Sequence, residues 1–404
     1  MSGLILNQEK IGDREAFIRL CPFNALEIAE GQVQVNGACR LCGLCIKKGP
    51  PGAALRVEEK KKSIDKSAWS GLAVYVEYGD GEIHPVTLEL LGKARELADK
   101  AGQKVSCLFA GFGIEKCAGE LLHYGADTVY IYDRKELEHF RVDAYTAVFE
   151  DFIHKVRPAS ILIGGTAAGR HLAPRVAARF RTGLTADCTV LDIHENTDLI
   201  QIRPAFGGNI MAHIETPNAR PQMATVRYKV MNAPQRSSRP SGKLVFPELS
   251  SEALVSDIEI LSSVPKPRER FIENAEVLVV AGKGVRSASD LKLIEDLAEL
   301  LGGETACTRP LIEAGWFDPK RQIGLSGRTV RPKLIIACGV SGSVQFSAGM
   351  SQAEVIFAVN KDEKAPIFKL AHYGIVGDLY EVLPLMMAKA KAFKNGGEVL
   401  FNGI

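Results

Sequence analysis

The chain has 404 residues, 46% of them hydrophobic and 24% charged, which is ordinary for a globular protein of two or three domains. Its 50 Lys and Arg residues against 48 Asp and Glu give a formal charge of +2, so no strong field favours nucleic acid. The N-terminus lacks a signal-peptide pattern, and no window reaches the roughly 18 apolar residues of a membrane span. We therefore expect a cytoplasmic protein with neither nucleic-acid nor membrane partners.

The first predicted domain, residues 1–65, is short, punctuated by glycine and rich in cysteine. Four of the nine cysteines lie within the first 45 residues, and an odd count in a long chain argues against a secreted disulfide scaffold. The segment ends in the charged run RVEEKKKSIDKS, which is typical of a solvated connector. The cysteines of this small module are therefore predicted to be ligands.

Cys39, Cys42 and Cys45 follow the spacing C-x2-C-x2-C, with which bacterial ferredoxins hold a 4Fe-4S cluster. Their run normally ends in C-x3-C-P, but here Gly49 precedes Pro50. The segments CPFNALEI (21–28) and GPPGAALRV (49–57) form an internal repeat offset by 28 residues, with Gly49 opposite Cys21. The predicted metal ligands are therefore Cys21, Cys39, Cys42 and Cys45.

A second cluster is predicted to have been lost from this module. In two-cluster ferredoxins the fourth cysteine of each run binds the other cluster. Counting back from Cys21 with the same spacing reaches Ile11, Arg14 and Phe17, none of which binds iron. We expect one 4Fe-4S cluster in a ferredoxin-like α+β module. Structural zinc and unrelated structural cysteines are disfavoured alternatives, because the close triplet fits neither.

The second predicted domain, residues 66–266, alternates strands with amphipathic helices, which indicates a parallel sheet covered on both faces. Its first strands are GLAVYVEY, KVSCLFAGF, ADTVYIYD and ASILIGG, and its helices include PVTLELLGKARELADKAG and DAYTAVFEDFIHKVR. Residues 188–230 contain four successive strands without helices, which predicts an antiparallel extension. A linker rich in proline, serine and basic residues follows over about residues 231–267, with room for a strand or two.

The third predicted domain, residues 267–404, is a further α/β unit. The strand AEVLVVAGKGV runs into a glycine turn before the helix SASDLKLIEDLAELLGG, and KLIIACGVSG, AEVIFAVN and PIFKLAHYGIVGDL follow as strand and turn units. Its strands end in glycine or small polar residues, the place where open α/β sheets hold ligands. The other cysteines, 107, 117, 188, 307 and 338, share no spacing and are interpreted as packing residues.

The segments CTRPLIEAGW, QIGLSGRTVRPKLIIACGVSGSVQFSAGM and VNKDEKAPIFKLAHYGIVGDL resemble the C-terminal FAD domain of electron-transfer flavoprotein α subunits. RPAFGGNIMAHI, in the preceding domain, is also similar to that family. The resemblance implies two Rossmann-like parallel-sheet domains and a bound FAD. By the same resemblance Arg309 lies over the flavin and Ser326 places a hydroxyl at its N5. The other cofactor-binding positions carried over are Lys283, Thr308, Ile323, Gly324, Leu325, Ser341, Gly342, Ser343, Val344, Gln345, Asn360, Asp378 and Leu379.

Two positions depart from the family pattern. Lys283 stands where relatives usually have an arginine, which keeps the charge and loses the bidentate fork. Phe346 stands where many relatives have a histidine directed at the flavin O2, so one hydrogen-bond donor is missing. The stabilisation of anionic reduced flavin that the family implies is therefore weaker here.

The ferredoxin-like module is absent from simple respiratory relatives and is similar to that of α subunits in anaerobic, electron-bifurcating complexes. That resemblance implies a β subunit that binds NADH, an external ferredoxin, and a partner flavoenzyme. We expect a partner of the acyl-CoA dehydrogenase type that reduces enoyl-CoA, such as caffeoyl-CoA reductase. An FAD-type lactate dehydrogenase is the alternative partner. In either case the chain is an electron carrier and performs no substrate chemistry alone.

Two further hypotheses belong to other classes. A self-contained iron-sulfur flavoenzyme would need an acid or base beside the flavin, and the sequence points to none. A non-redox regulator that binds adenine nucleotides would suit the βαβ pattern, but the ferredoxin-type cysteine run argues against it.

Overall fold

The computed structural model describes residues 2–58, 64–208, 210–264 and 271–394. It divides into two compact units, Met1–Ile64 and Asp65–Ile404. Parts of both predicted connectors, residues 59–63 and 265–270, lie outside the described residues, as does the predicted boundary at residue 266. In the described part of the chain, no helix combines the length and the apolar character needed to cross a membrane.

The first unit consists of two successive strand–helix–strand segments. They are β1 (Ser2–Leu6), α1 (Arg14–Ile18) and β2 (Leu26–Ala29), then β3 (Gln32–Val35), α2 (Leu44–Lys48) and β4 (Ala54–Glu58). The strands pair antiparallel, β1 with β4 and β2 with β3. The sequence repeat with its offset of 28 residues therefore relates the starts of β2 and β4.

The second unit begins with a seven-stranded parallel sheet. Its elements, in chain order with two short hairpin strands and a three-stranded antiparallel sheet included, are β5 (Leu72–Val76), β6 (Tyr78–Gly79), β7 (Glu82–Ile83), α3 (Pro85–Ala101), β8 (Val105–Gly111), α4 (Glu115–Ala118), β9 (Thr128–Asp133), α5 (Val142–Val156), β10 (Ser160–Gly164), α6 (Ala167–Phe180), β11 (Leu184–Cys188), β12 (Val190–Ile193), β13 (Leu199–Ala205), β14 (Ile210–Ile214), β15 (Gln222–Val226) and β16 (Lys243–Val245). The main sheet has the order β11-β15-β10-β5-β8-β9-β16. The alternation read from the sequence is thus confirmed as a parallel α/β sheet.

The predicted antiparallel extension is correct for three strands and wrong for the fourth. β12, β13 and β14 form a separate antiparallel sheet, whereas β15 returns to the main sheet between β11 and β10. All five residues of β15 are buried, and a strand buried on both faces belongs inside a covered parallel sheet. The predicted linker contributes β16, which pairs parallel with β9.

A second parallel sheet forms the C-terminal part of this unit. Its elements are β17 (Val277–Ala281), α7 (Leu291–Leu301), β18 (Glu304–Cys307), α8 (Arg309–Glu313), β19 (Leu334–Cys338), α9 (Val344–Ser347), β20 (Val355–Asn360), β21 (Tyr373–Val376) and α10 (Leu379–Lys394). The strand order is β18-β17-β19-β20-β21. Between β17 and β19 the winding direction changes, and such a switch point is where doubly wound sheets bind ligands.

Helix α3 shows why these elements form where they do. Pro85 occupies its first turn, the His84 ring nitrogen Nδ1 accepts the Val86 N–H at 3.1 Å, and Gly102 ends the helix with a left-handed φ of 63°. One face packs Leu90, Leu91 and their neighbours into the core beneath the seven-stranded sheet. The apolar periodicity in the sequence is therefore the buried face of the helix.

Glu89 is a buried acid on α3 whose carboxylate accepts the backbone N–H of Lys229 at 3.0 and 3.2 Å. Burial raises its pKa to about 7, although the Lys229 N–H opposes that rise. A raised carboxyl pKa in the folded state means that stability is highest below the unfolded pKa near 4.5 and falls as pH rises through 7.

We expect Glu89→Gln to gain stability relative to the wild type as pH rises from 5 to 8. Since one pKa unit corresponds to about 1.4 kcal/mol, the relative gain should be on the order of 2–3 kcal/mol. Urea unfolding at both pH values measures it. Glu96→Gln, on the exposed face of the same helix, is the control. An equal difference between Glu89→Gln and the wild type at both pH values would contradict the prediction.

Candidate functional site

A cavity of about 600 Å³ opens at the carboxyl ends of the strands in the second parallel sheet. Its walls come from the segments that follow β17, β18, β19 and β20, so it lies at the switch point between β17 and β19. This volume and position suit a large nucleotide cofactor.

Glycines allow two turns to approach each other at this switch point. A Cβ atom on Gly282 would lie 2.3 Å from the Gly339 carbonyl oxygen, and one on Gly284 would lie 2.7 Å from the Gly339 Cα. Gly342, with a φ of +80°, is packed against the Ile367 backbone in the same way. Side chains at these positions would push these backbone segments apart, so the glycines allow the turns that border the cavity to pack tightly. Tight glycine turns of this kind suit close approach of the backbone to the phosphates of FAD.

Most of the predicted cofactor-binding residues line this one cavity. Arg309 and Lys283 place two cations on its wall, and Ser326 with the residues before it also lines the cavity. The predicted residues found on the lining are Lys283, Thr308, Arg309, Ile323, Gly324, Leu325, Ser326, Ser341, Ser343, Gln345 and Asn360.

Four predicted residues, Gly342, Val344, Asp378 and Leu379, do not line the cavity. Gly342 lies in one of the tight turns described above, and Val344 is half exposed on α9. Leu379 is buried in the core between α7 and α10. These residues remain predicted FAD contacts.

Asp378, the remaining predicted residue that does not line the cavity, forms ion pairs with two basic side chains. Its carboxylate accepts from Lys361 Nζ and Arg286 Nη2, each at 2.8 Å, and these partners hold its pKa below the ordinary value. Arg286 also lies over the ring of Tyr380, with its Cζ 4.4 Å from the ring centroid. The structure thus shows Asp378 ordering the turn before α10.

Arg309 lies on the cavity wall with an ion-pair partner of its own. Its Nε donates to Glu313 Oε1 at 2.8 Å, one helical turn along α8, and both side chains are largely exposed. Such an exposed pair contributes little to stability, so the guanidinium is free to turn toward a cofactor.

Sequence reasoning missed Gln322, which lines the cavity beside Ser326. Its Nε2 donates to the Ser326 hydroxyl at 2.8 Å, and the residue is only 8% exposed. The sequence showed only a polar residue four positions before a predicted flavin contact, and the burial of Gln322 became visible only in the structure.

The four predicted metal ligands lie around one small cavity in the first unit. Cys21, Cys39, Cys42 and Cys45 line a space of about 20 Å³ whose other walls are mostly apolar, with Arg40 and Arg56 beside them. The Ala25 N–H donates to Cys21 Sγ at 3.3 Å, the kind of hydrogen bond that stabilises a thiolate ligand. Burial raises the pKa of Cys45, and the neighbouring Cys39 and Cys42 raise it further.

The spacing between these thiols is not that of a metal site. Within the described ranges, no three or more His, Cys, Asp or Glu side chains stand close enough together to hold a metal ion. The cavity is also about the size of one water molecule. The donor set fits a thiolate cluster, while the predicted ligation itself is not shown.

Two of the three positions predicted to have held ligands of a second cluster are now core residues, whereas the third, Arg14, is exposed. Ile11 and Phe17 are 4% and 2% exposed and belong to the core of the first unit. A Cβ atom on Gly49 would lie 2.4 Å from the Cys45 carbonyl oxygen and 2.7 Å from Cε2 of Phe17. An aromatic ring therefore fills the space beside the position where the fourth cysteine would stand.

The remaining cysteines lie apart from both cavities. Cys107, Cys188, Cys307 and Cys338 are fully buried, and Cys117 is partly buried against the same core as Cys107. Burial raises the pKa of Cys188, Cys307 and Cys338 to about 12, so these thiols stay protonated and behave as small apolar groups.

Two protein-family profiles match the chain. Residues 72–251 match the Electron transfer flavoprotein domain, and residues 271–351 match the Electron transfer flavoprotein FAD-binding domain. The second match covers most of the segments that line the 600 Å³ cavity. Both matches begin after the first unit, which ends at Ile64.

Several curated proteins are similar over most of their length. The lactate dehydrogenase (NAD(+),ferredoxin) subunit LctC of Acetobacterium woodii is 52% identical over 398 residues, which cover 98% of this chain and 95% of LctC. The electron transfer flavoprotein subunit alpha of Thermoanaerobacterium thermosaccharolyticum is 42% identical, over 80% of this chain and 98% of its own length. The subunit alpha of Clostridium acetobutylicum is 44% identical, over 82% and 100%.

Among solved structures, a thiamine diphosphate-dependent 4-hydroxybenzoylformate decarboxylase of Rhodococcus jostii RHA1 aligns with a TM-score of only 0.18, at 12% identity over 75% of this chain and 54% of its own. That likeness supports no conclusion about fold or function.

Proposed function

The chain belongs to the family of electron-transfer flavoprotein α subunits, and from that premise we propose that it serves a flavin-based electron-bifurcating complex, carrying one FAD and one 4Fe-4S cluster. The observation that carries the proposal is the cavity at the switch point, because eleven of the fifteen residues carried over from the family line it. We propose that these residues hold the FAD, with Gly342, Val344, Asp378 and Leu379 completing the site.

Within the proposed site, bound FAD supplies one- and two-electron chemistry. Arg309 and Lys283 line the cavity and would place positive charge near a bound flavin, and fixed positive charge that stabilises anionic reduced flavin raises its reduction potential. The glycine turns would let backbone N–H groups approach the phosphates of a bound FAD. Among the described residues that line the cavity there is no carboxylate and no imidazole, which disfavours a self-contained flavoenzyme with its own acid or base.

We propose that the first unit carries the cluster on Cys21, Cys39, Cys42 and Cys45. All four thiols line one cavity, and two of the positions predicted to have held the second cluster, Ile11 and Phe17, are packed into the core. LctC, whose name includes ferredoxin, aligns over 98% of this chain. Nearly every part of this chain, the first unit included, therefore has a counterpart in LctC. The cluster would conduct electrons between an external ferredoxin and the flavins.

The proposed complex contains an electron-transfer flavoprotein β subunit, which binds NADH. Two NADH supply four electrons as two hydrides. Two of these electrons would reduce two equivalents of a one-electron ferredoxin, and the FAD of this chain would pass the other two to one molecule of the partner's oxidised substrate. Run in reverse, the same cycle would oxidise the partner's reduced substrate, consume two reduced ferredoxins and form two NADH. The chain itself carries electrons and does not act on the substrate.

The partner flavoenzyme is proposed to be of the FAD-type lactate dehydrogenase class, because similarity to LctC extends along nearly the whole chain. This reverses the order expected from the sequence, where an enoyl-CoA reductase of the acyl-CoA dehydrogenase type, such as caffeoyl-CoA reductase, came first. No relative described above is named for an enoyl-CoA substrate.

The proposal is tested by anaerobic copurification with the β subunit and with each candidate partner. We expect bound flavin, iron and sulfide in the purified complex, and lactate-dependent NAD⁺ reduction that requires reduced ferredoxin. Activity with an enoyl-CoA substrate and none with lactate would reassign the partner. Turnover by this chain alone would overturn the carrier role, and a complex without flavin would overturn the FAD assignment.

Phe346 allows a specific prediction about the flavin potential. It lies on the cavity wall and is 4% exposed, where many relatives have a histidine. We expect Phe346→His to raise the first reduction potential of the FAD, since an N–H donor stabilises the negative charge at O2. Spectroelectrochemistry measures it, with Phe346→Leu as the apolar control. Equal potentials in the two variants would contradict the assignment of this position.

A further inference from the structure

The hydroxyl of Ser326 is held by a buried amide. Gln322 Nε2 donates a hydrogen bond to Ser326 Oγ at 2.8 Å, and both residues line the large cavity. Gln322 is 8% exposed, so water does not compete for this bond. The orientation of the Ser326 hydroxyl therefore depends on Gln322.

The backbone around Gln322 is fixed on both sides. Its N–H donates to the Pro319 carbonyl at 3.2 Å, and its carbonyl accepts the Arg328 N–H at 2.7 Å. A Cβ atom on Gly327 would lie 2.3 Å from that carbonyl oxygen. The loop is thus closed on itself, and the amide side chain extends from a fixed point.

Ser326 is anchored through the residue before it. The Leu325 N–H donates to the Gln345 carbonyl at 2.9 Å, and the Leu325 carbonyl accepts from Arg227 Nη2 at 2.6 Å. Arg227 follows β15 of the first parallel sheet, so both sheets of the second unit fix this loop. The Ser326 backbone has little freedom, and its side chain is oriented by Gln322.

A serine hydroxyl has one hydrogen to donate and two lone pairs to accept with. When Ser326 Oγ accepts from the Gln322 amide, its hydrogen remains available for an acceptor in the cavity. The unprotonated N5 of oxidised flavin is such an acceptor. An amide donor at position 322 therefore favours the orientation of the Ser326 hydroxyl in which its hydrogen is available to be donated to N5.

We propose that Gln322 is a positioning residue, which holds the Ser326 hydroxyl so that it donates its hydrogen to the flavin N5. The inference rests on the proposed FAD site and adds to it a residue that does not itself need to touch the flavin. Hydrogen bonding at N5 helps to set a flavin's reduction potential, so Gln322 acts on the potential through Ser326.

The test replaces Gln322 in the chain paired with its β subunit and measures the ¹⁵N resonance of N5 in labelled FAD. Gln322→Glu turns the amide donor into a carboxylate acceptor, which takes the Ser326 hydrogen, so its N5 resonance should match that of Ser326→Ala. Gln322→Met, which has no hydrogen bond to offer, should shift the resonance part of the way. In the Ser326→Ala background, Gln322→Met should cause no further shift.

FAD affinity gives a second readout. Loss of one neutral hydrogen bond should raise the Kd for FAD by only about fivefold in Gln322→Met. Val330→Ala is the structural control, because it removes buried volume at the end of the same loop. If Val330→Ala shifts N5 as much as Gln322→Met does, or if both Gln322 variants lose FAD while Ser326→Ala retains it, the role of Gln322 is structural and the proposal is overturned.

The outcomes also separate this inference from the proposed function. An N5 resonance that moves in Ser326→Ala but not in either Gln322 variant would overturn the role of Gln322 and leave the FAD site intact. An N5 resonance unchanged in Ser326→Ala would overturn the assignment of Ser326, and the role of Gln322 with it.

Discussion

Replacing Cys21 with alanine is expected to abolish the 4Fe-4S signal of the purified chain and to remove most of its iron. Cys21 lies 18 residues before the C-x2-C-x2-C run, yet it lines the same cavity as the other three thiols. A cubane cluster held by three protein thiolates lacks one ligand, so its loss should equal that in Cys42→Ala. Iron analysis and electron paramagnetic resonance of the reduced protein measure both variants.

The matched control is Cys117→Ala, which removes a partly buried thiol far along the chain and should retain all of the iron. Gly49→Cys should not rescue Cys21→Ala, because its Cβ would collide with the Cys45 carbonyl and with Phe17. If Cys21→Ala retains its full iron content with an unchanged spectrum, the four-cysteine assignment has to be abandoned. Zinc in place of iron in the wild type would exclude the redox role of the module.

The sequence predicted those parts of the fold that depend on local pattern. Periodicity, a proline at the first turn and a terminal glycine place α3, and the apolar run before Gly164 places β10. Strand order is set by contacts between distant segments. For this reason β15 was assigned to the antiparallel extension, although it pairs with β10 and β11.

For the candidate sites too, the sequence predicted the residues that belong to local patterns and missed the contacts that depend on distant segments. The cysteine spacing and the glycine turns are local patterns, and they led to the residues that line both cavities. The partners of Asp378 could not be read from the sequence, because Arg286 and Lys361 reach it from the loops after two other strands. The bond between Gln322 and Ser326 depends on a loop closed by Pro319 and Arg328, which a linear motif does not reveal.

The family relationship and the first unit carry separate parts of the functional argument. The α subunits of Thermoanaerobacterium and Clostridium align over about four fifths of this chain, which supports the flavin-carrying part. LctC aligns over nearly all of it. The iron-sulfur proposal therefore depends on the cysteine cavity and on LctC, and it can fail without changing the family or the FAD site.

Replacing Gly342 with alanine is expected to weaken FAD binding and so to lower the FAD content of the purified chain. Gly342 has a left-handed φ of +80°, and a Cβ there would lie 2.3 Å from the Ile367 nitrogen and 2.5 Å from its Cα. Both contacts are backbone atoms, so the turn between Ser341 and Ser343 would have to move. Strain of roughly 1–3 kcal/mol in a turn that is predicted to bind phosphate corresponds to a loss of FAD affinity of about fivefold to hundredfold. Flavin released by denaturation, counted per chain, measures it.

Gly315→Ala separates a local collision from general strain. Gly315 has a similar φ of +73° in the same domain, but no atom lies within 4 Å of the added Cβ, so this variant should keep its FAD. The iron of the first unit serves as an internal reference: Gly342→Ala should lose flavin and keep iron, whereas Cys21→Ala should lose iron and keep flavin. Such reciprocal loss requires two independent cofactor sites. Full flavin content in Gly342→Ala would show that this turn does not bind the phosphates of FAD.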